Sequence, residues 1–117
     1  MSQIQIYHNP RCSKSRETLA LLKERGVEPE VVLYLQTPPD QQTLQTLLKQ
    51  LGFSSARQLM RSKDALYQQL GLADEALSEA QLLQALIAHP ALIERPIVVA
   101  NGKARLGRPP EQVLEIL

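Results

Sequence analysis

The order of its apolar segments is the feature that most constrains how this chain can fold. Residues 4–8 alternate like a short strand, residues 13–25 have helical periodicity ending at Gly26, and residues 31–35 are β-branched and almost continuously apolar. A strand, a helix and a strand within about 35 residues form a βαβ unit, whose two strands run parallel with a right-handed crossover. The continuous apolar character of the second strand predicts an interior position in the sheet.

The middle of the chain, from about residue 37 to residue 89, predicts helices only. Pro38-Pro39-Asp40 is a helix start, and leucines follow at helical spacing up to Gly52. Capping boxes at residues 55–58 and 78–81 begin two further helices, and a short one is expected at residues 64–70. These segments predict a helical insertion between the second and third strands.

The last third of the chain returns to strands. Two apolar segments flank Asn101-Gly102, the strongest short signal for a type I′ hairpin. Pro109-Pro110 then begins a terminal helix, which is expected to carry Val113, Leu114 and Leu117. The whole order predicts an α/β protein with a thioredoxin-like fold. We expect a four-stranded mixed sheet, a helical insertion at about residues 37–90, and a single domain over residues 1–117.

Composition excludes several classes of function. The 117 residues include 13 basic and 12 acidic side chains, for a formal charge of +1, which gives no support for binding nucleic acid or a membrane surface. No apolar run is long enough to span a membrane, and no signal-peptide pattern is present. The single cysteine cannot form an internal disulfide and suits a reducing compartment, so a cytoplasmic protein is expected.

That single cysteine, Cys12, is the candidate nucleophile. It lies between the first strand and the first helix, among polar and basic neighbours, and no apolar pattern includes it. A thiol at a helix N-terminus faces unpaired backbone N–H groups and the positive end of the macrodipole, which lower its pKa and can also bind an anion. Free cysteines are often merely buried, but the neighbours of Cys12 favour a reactive thiolate.

Two further side chains are expected near Cys12. His8 ends the first strand and could stabilise the thiolate as an imidazolium, or only hydrogen-bond the loop. Ser15 takes the place of a resolving cysteine in the spacing Cys12-x-x-Ser15, so an intermediate on Cys12 must be released by an external thiol. The Ser15 hydroxyl could donate to the thiolate or to a bound oxyanion, or simply cap the helix. The cysteine and the two histidines show no metal-ligand spacing, and no metal is expected.

Three arginines are candidates for binding an oxyanion. Arg61 ends a short predicted helix, while Arg95 and Arg108 flank strands beside prolines. Guanidinium groups suit tetrahedral oxyanions through paired charge-assisted hydrogen bonds, although most arginines are solvated surface charges. Pro96 has two interpretations, a simple strand-leading proline or a cis-proline facing the active cysteine, as in thioredoxin-like folds.

Together these segments resemble the glutaredoxin-coupled arsenate reductase family. The matching motifs span nearly the whole chain in the family's order: residues 6–16 (Ile-Tyr-His-Asn-Pro-x-Cys-x-x-Ser-Arg), 34–39 (Tyr-Leu-x-Thr-Pro-Pro), 89–99 (His-Pro-x-Leu-Ile-x-Arg-Pro-Ile-Val-Val) and 105–109 (Arg-Leu-x-Arg-Pro). The Arg-Cys-Ser-Lys-Ser-Arg loop, residues 11–16, resembles one subgroup of the family.

The resemblance implies a mechanism. Cys12 would attack arsenate. The oxyanion would be bound by Arg61, Arg95 and Arg108, and the thiolate would be surrounded by His8 and Ser15. Glutathione, as co-substrate, would attack the Cys12–arsenate adduct, and glutaredoxin would resolve the glutathionylated species to release arsenite. No bound cofactor is implied.

Two alternatives remain open from the sequence. The Cys-x-x-Ser spacing is shared with monothiol glutaredoxins, which predicts a glutathione-dependent thiol-disulfide oxidoreductase. Thioredoxin-like relatives also include non-enzymatic regulators that bind RNA polymerase, but these usually carry a Cys-x-x-Cys switch that this chain lacks.

Overall fold

The computed structural model describes residues 4–117, which divide into two compact units. The first unit comprises residues 4–37 and 95–117, and the second comprises residues 38–94. None of the helices in the described part of the chain is long and apolar enough to cross a membrane.

The first unit is built on a four-stranded mixed sheet, as predicted. Its strands are β1 (Gln5–Tyr7), β2 (Glu30–Val32), β3 (Ile97–Ala100) and β4 (Lys103–Leu106), in the order β2-β1-β3-β4. β1 pairs parallel with β2 and antiparallel with β3, and β3 pairs antiparallel with β4. The predicted βαβ unit with parallel strands is therefore confirmed.

The prediction that the second strand lies inside the sheet is wrong. Within residues 4–117, β2 is an edge strand that pairs with β1 alone, and Val31 is 43% exposed. The strand is also shorter than residues 31–35, because the chain turns after Val32: the Thr37 N–H donates to the Leu33 carbonyl at 3.0 Å. A run of apolar residues cannot distinguish a buried strand from an edge strand that continues into a turn.

One helix and one 3-10 helix cover the same apolar cluster of the sheet. Helix α1 (Ser13–Glu24) buries Leu22 against Ile6 and Val98, and the terminal segment buries Val113 and Ile116 in this cluster. The terminal segment is a 3-10 helix over Pro110–Ile116 rather than an α-helix. With about three residues per turn, it points Val113 and Ile116 inward. The predicted helix included Leu117, but the 3-10 helix ends at Ile116 and Leu117 is 42% exposed, so that part of the prediction is wrong.

The hairpin between β3 and β4 has the predicted turn. Asn101 and Gly102 both have positive φ, 55° and 75°, as a type I′ turn requires. The Asn101 side chain also donates to the Ile116 carbonyl at 2.7 Å, which ties the turn to the terminal 3-10 helix.

The second unit is the predicted helical insertion between the second and third strands. It contains α2 (Gln41–Leu51), α3 (Ala65–Gln69) and α4 (Glu79–Ala88), with 3-10 turns at Ala56–Leu59 and Pro90–Leu92. The capping boxes at Ser55 and Ser78 are both formed. One isolated antiparallel bridge, Met60 to Ile93, joins the interior of this segment to its C-terminal end, and both residues are buried.

Candidate active site

Cys12 lies at the start of helix α1, as predicted. It is the N-cap residue, with extended backbone angles (φ −93°, ψ 123°), and its side chain makes no cap hydrogen bond. A tight loop positions it: the Cys12 N–H donates to the Asn9 carbonyl, and the Arg11 N–H donates to the Asn9 Oδ1, both at 3.0 Å. The thiol is partly exposed, so a small substrate can reach it.

The surroundings of Cys12 favour the thiolate. Partial burial is the largest single effect and would alone raise the pKa of the thiol, but it is outweighed by several effects that lower the pKa, first among them hydrogen bonds from the Ser15 backbone and the Arg95 side chain. The positive charge of Arg95 and the Lys14 backbone N–H act in the same direction, and the net pKa of Cys12 lies below its ordinary value. The first-turn amides of α1 therefore stabilise a negative charge at the sulfur.

Ser15 and His8 connect the helix start to the end of β1. The Ser15 Oγ lies 2.6 Å from His8 Nδ1 and accepts a hydrogen bond from the Asn9 N–H at 3.0 Å. Ser15 is completely buried, so of the roles considered for its hydroxyl, the one that the structure displays is to hold the loop together. Its backbone N–H, rather than its hydroxyl, contacts the sulfur.

His8 does not have the character of an imidazolium. Burial lowers the pKa of His8, and the nearby charges of Arg16 and Lys23 lower it further. A neutral His8 can accept a hydrogen bond from the Ser15 hydroxyl at Nδ1. Of the two roles considered from the sequence, the structure favours the hydrogen bond that orders the loop.

Arg95 and Arg108 both lie at Cys12. The Arg95 guanidinium hydrogen-bonds the sulfur, and Arg108 Nη2 lies 3.8 Å from Cys12 Sγ. Arg108 Nε also donates to the Arg95 carbonyl at 2.8 Å, so the two arginines are held against each other. Two guanidinium groups beside one partly exposed sulfur form a site where a tetrahedral anion can be bound within reach of the nucleophile.

The two arginines are placed by the backbone around β3 and β4. The bonds Arg95–Pro96 and Arg108–Pro109 are both cis, which answers the question left open for Pro96. The Gly107 N–H donates to the Pro96 carbonyl at 2.9 Å, and a Cβ at position 107 would collide with the Thr18 hydroxyl and come within 2.7 Å of Pro96 Cγ. Glycine therefore permits the close approach that brings Arg108 toward Arg95.

Arg61 lies in the second unit. Its backbone N–H donates to the Leu92 carbonyl at 2.7 Å, and its Nε lies 4.0 Å from the Glu94 carboxylate. Both side chains of this loose ion pair are about one quarter exposed, at 27% and 23%. The structure thus brings together five of the six residues selected from the sequence, all in the first unit, whereas Arg61 belongs to the second unit.

Two residues near the sulfur were not selected from the sequence. Asn9 organises the loop through its carbonyl and its side chain, and the signal for it was the Asn9-Pro10 turn two residues before Cys12. Tyr34 is completely buried, with Arg95, Cys12 and Asn9 in its electrostatic surroundings. Its signal was weaker, because a tyrosine in an apolar run is ordinarily part of the core. Within residues 4–117, no group of histidine, cysteine and acidic side chains could hold a metal ion.

Comparison with known proteins gives a consistent family match. The model of the ArsC family matches residues 7–116. The chain is 56% identical over 117 residues to an arsenate reductase of Neisseria meningitidis serogroup A, covering 100% of both chains. It is 71% identical over 115 residues to the uncharacterized protein YfgD of Escherichia coli K12, covering 98% of this chain and 97% of that protein.

A solved structure shows the same fold. The arsenate reductase from Vibrio cholerae superimposes with a TM-score of 0.96 at 57% identity, over 98% of each chain. The predicted thioredoxin-like fold class is confirmed.

Proposed function

This chain belongs to the ArsC family, and we propose that it reduces arsenate to arsenite with Cys12 as the nucleophile. The observation that carries the proposal is the position of Cys12: a partly exposed thiol of lowered pKa beside the guanidinium groups of Arg95 and Arg108. The names of the relatives called arsenate reductases indicate arsenate as the substrate, and the two guanidinium groups explain why an oxyanion would bind at this site.

The first step follows from the site. Arg95 and Arg108 bind the arsenate oxygens and offset their negative charge, so that the Cys12 thiolate can approach the arsenic atom. The sulfur forms a bond to arsenic(V), and one arsenate oxygen leaves as water after protonation. Charge repulsion between a thiolate and an anion would otherwise oppose this attack, which is why the two arginines are needed.

The electrons come from two external thiols, since the chain contains only one cysteine. The glutathione thiol attacks the arsenic of the Cys12–arsenate adduct, where its sulfur replaces a second arsenate oxygen, which leaves as water with the thiol proton. The glutaredoxin thiolate then attacks the glutathione sulfur, the electron pair of the sulfur–arsenic bond passes to arsenic, and a mixed disulfide leaves. Arsenic(V) gains two electrons, the two thiols lose two, and water releases arsenite from Cys12. These thiols are maintained in a reducing compartment, so the cytoplasm is the proposed location.

Arg61 is proposed as the third oxyanion-binding arginine. It is half-buried, and its ion pair with Glu94 is at the outer limit of contact, 4.0 Å, so its guanidinium can exchange that carboxylate for a stronger anionic partner. The family resemblance implies the same role for Arg61.

Steady-state arsenite formation tests the proposal. Purified protein with arsenate, glutathione, glutaredoxin and a system that regenerates reduced glutathione should release arsenite catalytically. The Cys12→Ser variant, which lacks the only thiol, should be inactive, and omission of either glutathione or glutaredoxin should stop turnover. Wild-type protein that gives no more arsenite than Cys12→Ser would refute the proposed function.

The Cys-x-x-Ser spacing supports a thiol-disulfide oxidoreductase as the second candidate function. Substitution of Arg108 distinguishes the two candidate functions. For an arsenate reductase, Arg108→Ala should weaken arsenate binding by about 1–3 kcal/mol, the usual contribution of a charge-assisted hydrogen bond. Arg105→Ala is the matched control, because Arg105 lies on β4, three residues before Arg108, and pairs with Glu115 of the terminal 3-10 helix at 3.1 Å. Turnover of a glutathione mixed disulfide that is insensitive to Arg108→Ala, together with no arsenite formation, would favour the second candidate.

A further inference from the structure

Tyr34 carries a buried hydroxyl group that the protein does not satisfy. The side chain is completely buried, and the Oη atom has no hydrogen-bond partner among residues 4–117. Burying a hydroxyl without a partner is unfavourable, and native proteins rarely do so without a reason. If Tyr34 only filled space in the core, a phenylalanine would fill it equally well without this cost.

The surroundings of the hydroxyl point to the candidate active site. Beside the larger effect of burial, which raises the pKa of Tyr34, the Arg95 and Asn9 side chains approach the Tyr34 hydroxyl closely enough to lower its pKa, while the negative charge of Cys12 raises it. Neither side chain meets the hydroxyl with the geometry of a formed hydrogen bond. Arg95 also hydrogen-bonds the Cys12 sulfur. The Tyr34 hydroxyl is therefore adjacent to the same guanidinium group that binds the nucleophile, and among the described residues no atom accepts its proton in a geometrically formed hydrogen bond.

The hydroxyl is available as a neutral donor at physiological pH. Burial raises the pKa of Tyr34 to about 12, with the positive charge of Arg95 only partly opposing this effect. The proton therefore stays on the oxygen throughout the pH range in which an arsenate reductase works. An oxyanion supplies the acceptor oxygens that the protein lacks at this point.

We propose that Tyr34 is a further oxyanion-binding residue, whose hydroxyl donates a hydrogen bond to one oxygen of the anion held by Arg95 beside Cys12. This inference rests on the proposed function. It assigns to Tyr34 a part in binding the substrate and none in activating the sulfur, because the groups that lower the pKa of Cys12 are backbone amides and Arg95. A neutral donor increases the affinity for the anion without a further positive charge, which could slow release of the product.

The test compares Tyr34→Phe with Tyr67→Phe. Tyr67 is also buried, but its hydroxyl accepts a hydrogen bond from Arg57 Nη1 at 2.8 Å in the second unit, so it controls for loss of a buried tyrosine hydroxyl. The measured quantity is the arsenate concentration that half-protects Cys12 from alkylation by iodoacetamide. Alkylation rates without arsenate, measured across pH, report the acidity of the thiol in each protein.

We expect Tyr34→Phe to raise the half-protecting arsenate concentration by about tenfold, the effect of losing one hydrogen bond to a charged acceptor. Tyr67→Phe should leave it unchanged, and the alkylation pH profile without arsenate should be the same in all three proteins. An unchanged half-protecting concentration in Tyr34→Phe would overturn the inference, and so would a change confined to the pH profile.

The outcome separates this inference from the proposed function. Wild-type protein that arsenate does not protect would overturn both, whereas a protected wild type with an equally protected Tyr34→Phe variant would overturn the inference alone. Should Tyr34→Phe fail to fold, 3-fluorotyrosine placed at position 34 keeps the hydroxyl and makes it a stronger donor. The inference then predicts tighter arsenate protection, and unchanged protection would contradict it.

Discussion

Cys12 is subject to opposing influences on its acidity, and the structure shows which one dominates. Partial burial disfavours the thiolate, while the backbone amides of Ser15 and Lys14 and the Arg95 side chain favour it. The sequence predicted the contribution of the helix start, because a thiol there meets unpaired amides whatever the rest of the fold. It could not predict which arginine contacts the sulfur, since Arg95 is 83 positions away along the chain.

The pKa of Cys12 gives the first prediction. Arg95→Ala should raise the pKa of the thiol, because it removes both a hydrogen bond to the sulfur and a positive charge beside it. The rate of alkylation by iodoacetamide as a function of pH measures this pKa directly. Arg105→Ala, which removes an arginine of β4 that pairs with Glu115, should leave the profile unchanged. An Arg95→Ala profile that coincides with the wild type would contradict the assignment.

The lowered pKa of His8 predicts how stability depends on pH. The folded state binds a proton on His8 less readily than the unfolded chain does, so the unfolded state binds more protons between the lowered pKa and about 6.5. The contribution of His8 to the free energy of unfolding is therefore fully present above about pH 6.5 and is lost as the pH falls through the folded pKa. Urea unfolding between pH 7.5 and 5.5 measures this loss.

His89 provides the control for that measurement. His8→Gln should flatten the decrease in the free energy of unfolding toward pH 5.5. His89→Gln should leave that decrease as in the wild type, because His8 itself is still present. A His8→Gln protein that loses stability toward acid as steeply as the wild type would show that other groups cause the dependence.

At the scale of elements, the sequence predicted correctly those features that depend on interactions between residues close together in the chain. The capping boxes at Ser55 and Ser78 and the Asn101-Gly102 turn form as expected, because each depends on residues only a few positions apart. The position of β2 was predicted wrongly, because an edge and an interior strand differ in their neighbours across the sheet. The terminal segment was predicted in place but with the wrong helical period, and Ile116 rather than Leu117 is buried.

The hairpin turn gives the element-scale prediction. Gly102 has a φ of +75° and a Cβ there would meet no other atom, so substitution affects only the backbone conformation. Gly102→Ala should destabilise the protein by about 1 kcal/mol, because left-handed backbone is costly for a residue with a Cβ. Gly102→Asn should cost less, since asparagine adopts this conformation more readily. Equal free energies of unfolding for the two variants would contradict this explanation.

At the scale of the whole molecule, the candidate site draws on distant parts of the sequence. Residues 8–15 supply the nucleophile and its loop, residues 95 and 108 supply the guanidinium groups, and Tyr34 follows the second strand. The mixed sheet brings these segments of the first unit together, because β1 lies between β2 and β3. The candidate site residues could be selected from motifs in the sequence. The burial of the Tyr34 hydroxyl near Cys12 could be recognised only from the three-dimensional structure.

The central claim is that a tetrahedral oxyanion binds between the Cys12 sulfur and arginine side chains. The most direct test is the anomalous arsenic signal in a crystal of the protein soaked with arsenate. We predict one strong arsenic peak within covalent bonding distance of Cys12 Sγ, with oxygens hydrogen-bonded to Arg95 and Arg108 and with the Tyr34 hydroxyl also in contact. An arsenic peak elsewhere, or arsenate that leaves Cys12 unoccupied at saturating concentration, would contradict the account.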